Sequence, residues 1–232
     1  MRKFVAAFFA IAVCLPAADF WAKPSTEWSD KDLQKMITNS PWARSFNPPN
    51  PGGGLGDSGA PPPLSEGRGG RGGGGGGGAA PAGGPPGAGG PVPTIYARWQ
   101  SALPVKQAFV RLKFGDQAAT SPEAKKLLER EEPDYEIVVS GPLRSLLRGD
   151  SETLKKAIME ASSLSAKGKD VKPSDVRIAL SQASNDMVFL FPRTTPFTVD
   201  DKEVEFLTKF GELTVKFKFK LKDMVFNGKL EM

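Results

Sequence analysis

Two small groups of acids stand out along this chain. Glu131, Glu132 and Asp134 follow an expected helix end, and Asp200 and Asp201 precede an expected strand. Either group has the charge to attract a cation or to let two carboxylates share a proton. Solvated helix ends and turns collect acids as well, and that is the expectation for both. The chain has no histidine, and its one cysteine, Cys14, lies in the N-terminal apolar run. Once that run is removed there is no thiol nucleophile, no imidazole base, no disulfide and no zinc site of the usual Cys/His kinds. An enzyme built on this chain would work with carboxylates, Ser, Lys or Tyr. No GxGxxG opens a helix after a strand, and neither GxxxxGK[ST] nor GxSxG occurs, so no cofactor or metal is expected.

The cations give two candidate anion contacts. Arg193 ends the most apolar stretch, NDMVFLFPRTTPF. Farther on, Leu213, Val215, Phe217, Phe219 and Leu221 alternate with Thr214, Lys216, Lys218, Lys220 and Lys222. A period of two puts the apolar set on one face of a strand and four lysines on the other. Such a ladder would suit an acidic polymer or anionic lipid heads. It equally describes a solvated strand face whose lysines block edge-to-edge pairing. Glu203 and Glu205 stand where a hairpin would bring them across from the lysines, and this available compensation favours the second reading.

Stepping along the chain, MRKFVAAFFAIAVCLPAAD has two cations, an apolar run too short for a bilayer, then small residues. That order predicts a secretory signal peptide over 1–18, with a secreted or periplasmic product and no transmembrane segment after cleavage. The net charge of +5 falls to +3 without Arg2 and Lys3, which by itself implies no polyanion partner. Residues 47–93 hold 20 of the 26 glycines and almost no large apolar side chain, so they are expected to be a disordered Gly/Pro-rich linker. The linker offers only Arg68 and Arg71 and no aromatic ring, which argues against an arginine-glycine box for nucleic acid. As a coil it would span about 40 Å between the parts it joins.

Residues 19–46 form a short segment with Trp21, Trp28 and Trp42 and one expected helix. Ser29 caps it, Asp32 completes a capping box, Trp28 staples onto Leu33, and Pro41 stops it. Leu33, Met36 and Ile37 share one face. So short a helix is not stable alone. Trp28, Leu33, Met36, Ile37 and Trp42 are therefore expected to dock, either on the chain's own domain, which is favoured, or on a partner. Residues 94–232 are expected to be one globular domain. A strand at Ile95–Trp99 is followed by a helix at Val105–Lys113, a helix capped by Ser121 and stopped by Pro133, a strand at DYEIVVSG and a helix at DSETLKKAIMEAS. Strands at SDVRIALSQ, DMVFLFPR, KEVEFLTKF and ELTVKFKFKLKDM come next, and FNGK turns the chain into the last strand, KLEM. Helices first and a run of strands after them predict an α+β fold with a mainly antiparallel sheet and two or three helices, preceded by the linker and the short N-terminal helix.

The stretches WSDKDLQKMITNSPWA (28–43), YARWQSALPVKQA (96–108), VFLFPR (188–193) and FKLKDMVFNGKLE (219–231) resemble a group of uncharacterised exported proteins of acidobacteria-like soil bacteria. The resemblance covers both ends of the chain beyond the apolar run and skips the glycine-rich middle. It implies export and supplies no catalytic residues. The expected function is an exported non-catalytic binding or scaffolding protein with an unidentified envelope or extracellular partner. The alternatives are a carboxylate or Ser/Lys type hydrolase of the cell envelope, and an adhesin for anionic envelope polymers working through the lysine-rich strand.

Overall fold

The computed structural model describes residues 19–48, 94–147, 149–180 and 185–232. The expected signal peptide and nearly all of the expected linker lie outside the described residues. The fold is α+β with antiparallel sheets. In chain order the elements are α1 (Asp30–Thr38), β1 (Ala43–Phe46), β2 (Ile95–Trp99), α2 (Leu103–Phe114), α3 (Pro122–Glu129), β3 (Asp134–Ser140), α4 (Leu143–Leu146), α5 (Ser151–Glu160), β4 (Ser163–Ala166), β5 (Lys169–Val171), β6 (Asp175–Leu180), β7 (Asn185–Pro192), β8 (Glu203–Phe210), β9 (Leu213–Lys220), β10 (Val225–Phe226) and β11 (Lys229–Leu230).

Helix ends follow their local chemistry. The Ser29 hydroxyl accepts from the Asp32 amide, and the Asp32 carboxylate accepts from the Ser29 amide, so α1 starts on a complete capping box. Ser121 caps α3 and Asp150 caps α5 through the same side-chain acceptor geometry. The Asn227–Gly228 turn has positive φ at both residues, the geometry of a two-residue hairpin loop, and joins β10 to β11.

Two sheets form the body. The first has the order β1-β2-β3-β7-β6 and the second β5-β4-β8-β9. Along β3 and β7, Tyr135, Ile137, Val139, Met187, Phe189 and Phe191 point to one side and are fully or nearly fully buried. The second sheet meets them with Phe206, Phe217 and Phe219. Ring centroids lie 5.1 Å apart for Phe189–Phe206, 5.9 Å for Phe191–Phe206 and 5.6 Å for Trp99–Phe219, all three edge to face. The alternating pattern of β9 is as the sequence predicts, with Val215, Phe217 and Phe219 buried and Lys216, Lys218 and Lys220 exposed.

The N-terminal segment is where the structure departs furthest from expectation. It carries a strand as well as a helix. β1 pairs with β2 in the register Ala43↔Arg98, Arg44↔Ala97, Ser45↔Tyr96 and Phe46↔Ile95. Trp28, Leu33, Met36 and Trp42 are buried in the common core, with Ile37 packed against it. α1 lies on α2, β1 and β2. Trp28, Leu33, Met36, Ile37 and Trp42, the set expected to dock on the chain's own domain or on a partner, lie in or against the core of this fold, because a short amphipathic helix gains most by burying its apolar face on the nearest apolar surface. The expected boundary between a 19–46 segment and a 94–232 domain also gives way. Residues 19–46 supply an edge strand and two core tryptophans to the same body. The expected tether joins two strands that are already hydrogen-bonded, and the Thr94 hydroxyl donates to Asn47 Oδ1 at 2.9 Å beside the last pair. β4, β5 and α4 are further elements, each of four residues or fewer and too short to carry a sequence period.

Candidate functional site

One face of the five-stranded sheet is spent on the core. The other carries Arg98, Glu136, Val138, Ser140, Asp186 and Val188, because alternate residues of β2, β3 and β7 point outward. Such a face must be covered or be polar. The half of it near β2 is closed by a charged network. Arg98 is only 8% exposed and lies with its guanidinium 4.7 Å from the centre of the Phe109 ring. It donates to Gln100 Oε1 at 3.1 Å and to the Ser140 hydroxyl at 2.5 Å, and pairs with Asp186 at 3.5 Å. Ser140 in turn donates to Asp186 at 2.6 Å. Burial pulls the Arg98 guanidinium below its ordinary pKa, and Asp186 opposes that pull.

The other half, below α2 and α3, is an open cleft of about 360 Å³. Phe109 and Val110 of α2, Leu127 of α3 and Val188 of β7 give it apolar walls. Its charged groups come from four places. Lys106 reaches from α2 to Glu132 at 3.2 Å and donates to the Arg130 carbonyl at 2.6 Å. Arg130 lies 3.0 Å from the other Glu132 oxygen, an ion pair off the direction of a hydrogen bond. Arg177 on β6 pairs with Asp175 at 3.5 Å, and Asp175 is held below its ordinary value chiefly by the Lys155 ammonium at 2.6 Å. Lys113 stands at the rim, 5.2 Å from the centre of the Phe114 ring. Glu136 is the exception. It is half-buried on β3, its backbone is fixed by Gln100 and Ser101, and no ion pair reaches its carboxylate among the described residues. Burial, with the nearby Glu132 charge, raises its pKa above the ordinary value against the opposing pull of Arg130, Arg177 and Lys106.

A second cleft of about 450 Å³ adjoins the first, with Lys106, Arg130 and Glu132 common to both. Arg193 lines it. That cation is engaged within the chain. Its guanidinium sits 4.2 Å from the centre of the Tyr135 ring and donates to the Met232 carbonyl at 2.7 Å.

The remaining sequence candidates are placed as follows. Lys216 pairs with Glu205 and Lys218 with Glu203, each at 3.3 Å, diagonally across the β8–β9 ladder. Lys220 and Lys222 are exposed, one strand residue and one turn residue beyond those pairs. The structure does not bring the four lysines to the cleft or to Arg193. Asp201 accepts from the Thr198 amide and pairs with Lys169 at 2.6 Å, and Lys169 is the main cause of its lowered pKa. Glu132 is spent on Lys106 and Arg130. Among the described residues no three His, Cys, Asp or Glu are placed to hold a metal. Sequence reading missed the cleft altogether. Its residues come from five separate stretches with no common spacing, and the one usable signal was the charged Glu136 inside the otherwise apolar alternation of DYEIVV.

Compared with known proteins, the chain matches no family model, no curated protein and no solved structure. Among the described residues no helix is long and apolar enough to cross a membrane.

Proposed function

We propose that this is an exported, non-catalytic binding protein, and that the cleft between the outer sheet face, α2 and α3 is its binding surface. The observation that carries the reading is the cleft itself. It pairs apolar walls with convergent charged groups on a rigid sheet, the usual make-up of a small-molecule site. The polar network beside it suits support more than reaction. Arg98, Ser140 and Asp186 are engaged with one another and none of them lines the cleft. Support for an adhesin through the lysine-rich strand is weaker, since Glu203 and Glu205 already answer two of its four lysines.

Filling the cleft tests the reading. Val188→Trp places a large ring on the cleft floor from a half-buried position. Wild-type protein and the variant would be incubated with a small-molecule extract of native cell envelope and examined by native mass spectrometry. A bound mass on the wild type that is absent from a folded Val188→Trp variant is expected. The same adduct on both proteins would show that binding lies elsewhere.

A further inference from the structure

The charges of the cleft point to a class of ligand. Four cations line it, Lys106, Lys113, Arg130 and Arg177, against two acids, Glu132 and Glu136. Lys106 and Arg130 share the single carboxylate of Glu132, so that trio keeps one positive charge in excess. Lys113 adds another at the rim, with its ring contact and no acid among the described residues. Arg130 and Arg177 keep side-chain exposures of 59% and 62%, so their guanidinium groups reach solvent at the mouth while the apolar walls lie behind them. Arg177 pairs with Asp175, but shares that single carboxylate with Lys155, so this trio also keeps one positive charge in excess. The arrangement is a positive rim over an apolar trough, and an excess of charge of this sort recruits the opposite sign.

Building on the cleft as binding surface, we propose that its ligand is a small amphipathic anion, an organic acid whose apolar body lies against Phe109, Leu127 and Val188 and whose anionic head meets Arg177, Arg130 and Lys113. A planar carboxylate suits a guanidinium through paired N–H donors. Glu136 sits beneath the head as the one like-charged group without an ion pair. It limits affinity for the anion and would be the chief attraction for an organic cation of the same size. The two ligand classes therefore predict opposite signs for its removal.

The experiment uses octanoate and octylammonium, matched in length and opposite in charge, titrated into the folded protein by calorimetry and by amide shifts in NMR. The expected result is octanoate binding that is absent from Val188→Trp, strengthened roughly fivefold by Glu136→Gln, and weakened at least fivefold by the exposed double variant Lys113→Glu/Arg177→Glu. That double variant alters only rim side chains, so its folding is not at issue. Preference for octylammonium, with binding lost in Glu136→Gln, would overturn the anion and leave the cleft as the binding surface. Absence of binding by both probes, or equal binding by Val188→Trp, would overturn the cleft as well.

Discussion

Two tryptophans show how differently equal burial can act. Trp42 and Trp99 are both fully buried. The Trp42 indole donates to the Glu231 carbonyl at 2.9 Å, whereas the Trp99 indole nitrogen is buried with no hydrogen-bond partner among the described residues. Replacing either by Phe removes similar ring area. At Trp42 it also orphans a carbonyl, and at Trp99 it removes an unsatisfied donor that costs roughly 1–3 kcal/mol in place. Trp42→Phe is therefore expected to destabilise more than Trp99→Phe, by about 1 kcal/mol or more, in paired denaturant melts. Equal losses would show that the Trp99 donor is satisfied in solution. Glu136 gives a pH signature. Its folded pKa lies above the unfolded one, so the folded state holds its proton more tightly. Stability is then lost as pH rises from the unfolded value through the folded value, and the loss is complete above it. Glu132, Arg130, Arg177 and Lys106 are the charged groups acting on it. Glu136→Gln is expected to raise the thermal midpoint at pH 7.5 and to leave it nearly unchanged at pH 4. The opposite order would mean that the cleft cations govern this carboxylate.

Elements differ in how plainly a sequence announces them. α1 is declared by Ser29 and Asp32 at cap spacing, and β9 by Leu213, Val215, Phe217 and Phe219 in strict alternation, though the expected strand ran on to Met224 and β9 ends at Lys220, where Leu221–Met224 forms a 3-10 turn. β1 is four residues, Ala-Arg-Ser-Phe, with two polar members and no usable period, and it becomes a strand because β2 offers it an edge. β4 and β5 are just as short, and Lys167–Gly168 turns between them through two positive-φ positions. The cleft exists only in three dimensions, since α2 gives it four side chains and α3, β3, β6 and β7 give one each. For β9 the prediction is sharp. Phe217 is 1% exposed between Phe46 and Phe206, and Phe217→Ala is expected to cost about 3–5 kcal/mol. β9 is also an edge strand, and its lysines keep that edge from pairing with another copy. Changing Lys216, Lys218 and Lys220 together to Ser should leave the fold intact and raise aggregation in light scattering. A soluble triple variant that loses salt-sensitive retention on an anionic polymer would restore the adhesin reading.

At the scale of the molecule, the connection through residues 47–94 closes a hairpin between β1 and β2 in place of spanning a gap between two bodies. Treated as the coil its composition predicts, a long closure costs more entropy than a short one. Cutting it to a four-residue turn between Phe46 and Ile95 is expected to stabilise the protein by about 2 kcal/mol, read as a rise in the denaturant midpoint at constant slope. A lower midpoint would show that the glycine-rich stretch itself contributes contacts. The same hairpin separates covalent continuity from structural continuity. A protease that cuts the glycine-rich stretch breaks one peptide bond and none of the contacts that bury Trp28, Leu33, Met36 and Trp42. The product would then be a heterodimer from one gene, a short tryptophan-bearing chain seated in a longer one, with two bands on a denaturing gel and a single species on a sizing column.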